Sequence, residues 1–197
     1  MDVLAEYPSE LQSTRGRLLE LLREHALVIG EVTLTSGSTA QYYVDAKRVI
    51  LLPEAFTLLG ALVAERVRAY GASAVGGVPV SAIPVACAAL AAGEPPARAF
   101  IVRKERKDHG LQRWIEGPVL ESGERCVIVE DVVTTGGSTM AAIERVRSEG
   151  LVVAGVVSVL DRLAGGAEAI RRVLGKGAGY SALSTIDEVY PERPDRG

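Results

Sequence analysis

The segment Cys126-Val-Ile-Val-Glu-Asp-Val-Val-Thr-Thr-Gly-Gly-Ser-Thr139 constrains this chain more than any other, because an apolar run meets two adjacent carboxylates and then a turn of hydroxyls and glycines. The uninterrupted apolar residues from Cys126 to Val129 suit a strand covered on both faces, as in a parallel sheet between helices. Glu130 and Asp131 are expected where that strand leaves the core, at the carboxyl end of the sheet where open α/β proteins bind ligands. Thr134, Thr135, Gly136, Gly137, Ser138 and Thr139 supply backbone N–H groups, four hydroxyls and two glycines ahead of a helix predicted from Met140 to Ser148. Free N–H groups and the positive end of a helix dipole converge there, which makes an anion cradle. Carboxylates are good acceptors for vicinal hydroxyls and poor neighbours for a phosphate, so the acidic pair belongs at the sugar end of a phosphosugar site. In the plainer reading, Asp131 and Thr134 only shape a strand-to-helix turn and cap the helix.

Neighbouring segments predict the same architecture. Helical periodicity runs from Leu11 to Val28, and Glu31 to Asp45 reads as two short strands joined by a polar turn. Pro53 opens a long amphipathic helix from about Glu54 to Tyr70. Short strands at Ser73–Gly77 and Arg98–Val102 flank an alanine-rich helix, Val80–Ala92, and Val152–Asp161 is another β-branched strand before a helix at Gly165–Leu174. Alternation of this kind implies right-handed βαβ crossovers, hence an α/β domain with a mostly parallel twisted sheet flanked by helices. A length of 197 residues suits one such domain, with a small N-terminal hood from about residues 1–50, a core over about 51–185 and a loosely held tail from Pro191 to Gly197.

Composition excludes several function classes. A formal net charge of −3 gives no bulk attraction for nucleic acid or an anionic membrane, so anion specificity must come from local groups. Neither Gly-x-x-x-x-Gly-Lys-Ser/Thr nor Gly-x-Gly-x-x-Gly after a strand occurs in the chain. Cys87 and Cys126 lie in apolar stretches without metal-ligand spacing and read as small buried thiols. The residues from Met1 to Arg15 carry no secretory pattern, and no apolar run reaches transmembrane length, so a soluble cytoplasmic protein is expected.

The acidic pair followed by Thr-Thr-Gly-Gly-Ser-Thr resembles the ribose-5-phosphate site of the type I phosphoribosyltransferases. That resemblance implies that Glu130 and Asp131 contact the ribose hydroxyls of phosphoribosyl pyrophosphate (PRPP), while Val132 to Thr139 cradle its 5′-phosphate. Three further segments resemble orotate phosphoribosyltransferases in particular. Arg103-Lys-Glu-Arg-Lys-Asp-His-Gly110 is similar to the family's catalytic loop, and implies that Arg103, Lys104, Lys107 and His109 meet the pyrophosphate. Val32-Thr-Leu-Thr-Ser-Gly37 with Tyr42-Tyr-Val-Asp45 is similar to its N-terminal signature, in which Ser36, Gly37, Tyr42 and Tyr43 line the orotate pocket. Tyr42 and Tyr43 alternate across a strand, so only one of them can face the ligand while the other packs.

Ser158-Val-Leu-Asp-Arg162 is similar to the late strand whose arginine meets the orotate carboxylate, with Thr134 also beside the base. Three positions depart from the family: Thr35 and Ser81 stand where many members carry lysine, and Ala164 stands where a glutamate is common. Gly76 and Gly77 remain, and would let the backbone approach the diphosphate closely. The implied reaction is orotate plus PRPP giving orotidine 5′-monophosphate and pyrophosphate, with catalytic roles for Arg103, Lys107, His109 and Asp131. Mg²⁺ bound mainly through PRPP, and a homodimer with loops shared between subunits, are implied by the same resemblance. Two other readings stay open: a purine or xanthine phosphoribosyltransferase, and a PRPP-sensing regulator without catalysis.

Overall fold

The structure is a computed structural model that describes residues 4, 6–33, 39–92, 97–105 and 113–196. Helix α1 (Ser9–Leu21) continues as one π-helical turn, Leu22–Ala26, into the antiparallel hairpin of β1 (Leu27–Thr33) and β2 (Thr39–Val44). The N-terminal helical stretch therefore ends two residues before the predicted Val28, because Leu27 and Val28 pair with Val44 and Tyr43 instead. A short helix α2 (Lys47–Ile50) leads to α3 (Pro53–Ala69), with Pro53 in the first turn where its missing N–H costs nothing. Then follow β3 (Ala74–Gly77), α4 (Ala82–Ala92), β4 (Arg98–Val102), β5 (Ile115–Glu116), β6 (Arg125–Val133), α5 (Gly137–Ser148), β7 (Val152–Asp161), α6 (Gly166–Leu174), β8 (Gly179–Thr185) and α7 (Ile186–Val189).

Among the described residues six strands form one sheet in the order β5-β4-β3-β6-β7-β8, parallel throughout except for β5. β6 and β7 are central, and their side chains divide between two cores. Val127 and Val129 join Leu59, Leu62 and Val85 on the α3–α4 side, whereas Cys126 and Ile128 join Ile143, Val146 and Ile170 on the α5–α6 side. Both faces are thus covered, which is why the β6 run needs no polar residue before Glu130. No helix among the described residues is long and apolar enough to cross a membrane.

Three expectations change. β5 and β8 went unrecognised: β5 is only two residues long, and Gly179-Tyr-Ser-Ala-Leu-Ser-Thr185 mixes hydroxyls with apolar residues on a strand that is nonetheless buried. Cys87 is exposed on α4, while Cys126 is buried with its thiol pushed up to about 12 by desolvation. The tail is not loose. Tyr190 packs edge to face on Tyr42, with ring centroids 5.2 Å apart, and Asp195 accepts a hydrogen bond from Tyr42 Oη at 3.0 Å.

Tyr70, at the end of α3, lies across the sheet where β7 and β8 carry glycine. A Cβ on Gly155 would stand 2.5 Å from the Tyr70 ring. Gly155→Ala should therefore force the ring off its seat and lower stability by about 1–3 kcal/mol, the usual scale for overpacking. Chemical denaturation checks this as a lower midpoint at unchanged slope; a midpoint equal to that of the unsubstituted protein would show that the close approach is not constraining.

Candidate active site

The site forms at the carboxyl edge of the sheet, where β6 and β7 end side by side. β6 runs further than expected, to Val133, because Val132 and Val133 pair with Leu160 and Asp161 of β7. Glu130 therefore stands inside the strand rather than past it, 8% exposed and registered against Ser158. Its Oε2 accepts hydrogen bonds from Ser138 Oγ at 3.0 Å and from Thr139 Oγ1 at 3.2 Å. Burial, with the adjacent Asp131 charge adding to it, pushes the Glu130 carboxyl up to about 7. Asp131, one residue on, is half-buried.

Helix α5 also starts earlier than predicted, so Gly137, Ser138 and Thr139 make up its first turn. Gly136 precedes it at φ 80°, a left-handed conformation that glycine adopts without strain. Thr134, Thr135, Gly137 and Ser138 are exposed, and a Cβ on Gly137 would meet nothing within 4 Å. Open space therefore lies over the helix start, where free N–H groups favour an anion. Thr139 is buried, with its hydroxyl directed at Glu130. Two backbone bonds seat the next unit on this turn: Arg162 N–H to Val133 O at 2.8 Å and Gly166 N–H to Thr134 O at 3.1 Å.

Arg162 is half-buried just past β7. Its Nη2 donates to Tyr42 Oη at 3.0 Å, its guanidinium carbon lies 4.9 Å from the Tyr42 ring centroid, and its Nε–H is buried without a partner. The neighbouring carboxylates are engaged elsewhere. Asp161 Oδ1 accepts from Leu163 N–H at 2.6 Å and Oδ2 from the Tyr180 hydroxyl, while Glu168 pairs with Arg171. Tyr42 is buried and Tyr43 exposed on the opposite face of β2, as alternation requires. Burial raises the Tyr42 pKa, and Arg162 opposes that shift.

Lys47 is a residue that motif reading missed. It is tied to Asp45 at 2.8 Å, and its pKa is raised first by that bond and then, more weakly, by Tyr43 and Asp131. A cation and Tyr43 thus stand on the side of the acidic pair. The signal was available in Tyr43-Val-Asp-Ala-Lys47, where a lysine follows the aromatic pair.

Arg103 directly follows β4 and is ion-paired with Glu116 of β5, with its Nε donating to Glu105 O at 3.2 Å. Lys104 is exposed. Lys107, His109, Ser36, Gly37 and Thr35 lie outside the described residues. Ser81 is half-buried at the start of α4. Gly76 and Gly77 are required by packing, since a Cβ would meet Phe100 at 2.4 Å on the first and Ala82 and Val129 at 2.5 Å on the second.

Among the described residues no group of three His, Cys, Asp or Glu side chains could hold a metal. Glu130 and Asp131 are hard oxygen donors, so a Mg²⁺ ion held beside them would complete its shell with other oxygens and water.

An acidic pair at the end of a parallel strand, leading into a hydroxyl-rich turn and an open helix start, defines a phosphoribosyl-transfer site. The family model of the phosphoribosyl transferase domain matches residues 52–173. Orotate phosphoribosyltransferase of Streptomyces avermitilis is 43% identical over 182 residues, 91% of this chain and 98% of that protein. A solved structure of Mycobacterium tuberculosis orotate phosphoribosyltransferase, in complex with Fe(III) dicitrate, superposes with a TM-score of 0.79 at 41% identity, covering 90% of this chain and 99% of that one. The same protein in complex with PRPP gives 0.74 at 36% identity, over 89% and 98% of the two chains. The chain belongs to the orotate phosphoribosyltransferase family.

The raised carboxyl of Glu130 has a signed consequence. A folded-state pKa above the ordinary 4.5 favours the protonated form in the native protein, so that stability is fully present below pH 4.5 and is lost as pH rises through about 7. Glu130→Gln still accepts the two hydroxyls but carries no proton to lose. Thermal midpoints of ligand-free protein between pH 5 and 8 should diverge, with the glutamine variant gaining on the unsubstituted protein as pH rises. Parallel curves would contradict the assignment.

Proposed function

We propose that this chain transfers the 5-phosphoribosyl group from PRPP to orotate, giving orotidine 5′-monophosphate and pyrophosphate for pyrimidine biosynthesis, with Arg162 as the group that selects the base. One observation carries the base assignment. The Arg162 Nε–H is a buried donor without a partner, in a side chain whose Nη2 is already held by Tyr42. An unmet donor costs roughly 1–3 kcal/mol, which a planar carboxylate bonded to the guanidinium would recover. Orotate carries such a carboxylate; adenine and guanine do not. A neutral purine offers that guanidinium no charged, two-oxygen partner, only single carbonyl oxygens or ring nitrogens.

Breaking the anomeric C–O bond builds positive charge on the ribose and negative charge on the pyrophosphate. Glu130 and Asp131 are placed to hold the ribose hydroxyls and to offset the developing positive charge. The N–H groups of the α5 start, that of Ser138 included, with the exposed hydroxyls of Thr134 and Thr135, anchor the 5′-phosphate away from the reacting bond, so that binding energy is spent on alignment. Arg103, Lys104, Lys107 and His109 neutralise the leaving pyrophosphate, with His109 as hydrogen-bond or proton donor. Arg103 must leave Glu116 to do so. Mg²⁺, when bound through PRPP oxygens, shields the pyrophosphate charge. By the family resemblance Tyr43, Ser36 and Gly37 belong to the orotate pocket, with Lys47 on the same side as Tyr43.

A homodimer in the cytoplasm fits the family resemblance, the free thiols and the exposed apolar side chains Ile29, Leu51 and Val80. The regulator reading loses ground to the charges grouped at Arg103 to Lys107, which a sensor would not need.

Steady-state kinetics separates the two ends of the site. Lys107→Ala should lower kcat by about two to four powers of ten with little change in orotate KM, as for a group that acts in the transition state. Arg162→Ala should raise orotate KM by about ten- to a hundredfold, the scale of a charged hydrogen bond, and leave PRPP KM nearly unchanged. Equal losses for both substrates in the arginine variant would remove it from base recognition.

A further inference from the structure

The segment after α7 folds back over the hood and reaches the base arginine through one phenol. Arg193 pairs with Asp187 of α7 and, at 3.2 Å, with Asp195; Arg196 pairs with Asp187 at 3.6 Å. This double clamp presents the Asp195 carboxylate to Tyr42, whose hydroxyl it accepts at 3.0 and 3.1 Å. Tyr190 braces the same ring edge to face. Tyr42 Oη in turn accepts from Arg162 Nη2 at 3.0 Å.

A phenol has one proton and can direct it one way at a time. With a carboxylate on one side and a guanidinium on the other, the proton goes to Asp195 and the oxygen lone pair faces Arg162. Without that acceptor, the hydroxyl is free to rotate its proton toward the arginine, donor against donor. The arginine side chain then loses the contact that fixes its plane, and a forked bond to a carboxylate depends on that plane. Three parts of the chain are joined here: β2 of the hood, the end of β7, and the segment after α7.

We propose that Asp195 is a positioning residue for base recognition: by taking the Tyr42 hydroxyl proton it locks Tyr42 as the acceptor that holds the Arg162 guanidinium ready for the carboxylate of the base. This rests on the reading of Arg162 as the carboxylate-binding group. Asp195 touches no substrate. It acts through Tyr42 and gives the segment after α7 a part in selecting a carboxylated base. A simple staple, holding that segment to the hood, would affect stability and both substrates alike.

The test uses the full-length chain with Asp195→Ala, Asp195→Asn, Tyr42→Phe, the double variant Tyr42→Phe/Asp195→Ala, and Arg162→Ala as reference, measuring KM for orotate and for PRPP. Asp195→Ala should raise orotate KM by about three- to tenfold, the scale of one lost hydrogen bond, with PRPP KM unchanged. Asparagine still accepts the phenol proton and should restore most of the affinity. The double variant should bind orotate no worse than Tyr42→Phe alone, because the relay passes through the hydroxyl. The proposal is overturned if Asp195→Ala leaves orotate KM unchanged, if it raises both KM values equally, or if the losses multiply in the double variant. Arg162→Ala separates the failures: a large loss there with none at Asp195 sinks the relay alone, and no loss at Arg162 sinks the base assignment with it.

Discussion

A carboxylate buried under the first turn of a helix is the constraint on which the site depends. Glu130 sits within the sheet, where an ion is costly to desolvate, and that cost is offset only in part by the hydroxyls of Ser138 and Thr139. Both donors belong to the first turn of α5. The bonds that satisfy the acid therefore also pin the helix start over the end of β6. With those two side chains turned toward the strand, what stays open at the helix start is its backbone N–H groups, the exposed hydroxyls of Thr134 and Thr135, and the face above Gly137. The end of β6 and the start of α5 are thus mechanically one unit.

The base end is built onto the same turn rather than beside it. Arg162 N–H and Gly166 N–H donate to the carbonyls of Val133 and Thr134, so the arginine's backbone cannot shift without moving the turn before α5. Its side chain answers to different elements, Tyr42 of the hood and the residues behind it. Fixed backbone and adjustable side chain divide the work. The spacing between the α5 start and Arg162 is set by the sheet, while the orientation of the guanidinium is set by how the hood holds it.

Much of this was legible because strong local signals coincide. Arg98–Val102 and Val152–Asp161 are β-branched or apolar runs with clear breaks, and both strands have the predicted bounds. Pro53 marked its helix start within a residue. The acidic pair and the turn were read correctly as neighbours, but the strand was cut short at Val129 because a glutamate in a buried strand looks like an exit. Only the two hydroxyls eight and nine positions later explain why it stays. β8 escaped notice since its serines and threonine are satisfied by tertiary partners, such as Ser184 on the Val159 carbonyl. The segment after α7 was misread for the same reason: its charges look like a solvated tail, and their partners Tyr42 and Asp187 are fixed by the fold. Glycines 76 and 77, read as room for a diphosphate, are held by Phe100, Ala82 and Val129.

The central claim is that one phosphoribosyl site is made specific for a carboxylated pyrimidine by Arg162. Incubating the purified protein with Mg²⁺, PRPP and separate bases, while following base consumption and pyrophosphate release, tests this most directly. The account predicts turnover with orotate and none above background with adenine, guanine, xanthine or uracil. Pyrophosphate release with a purine but not with orotate would contradict it.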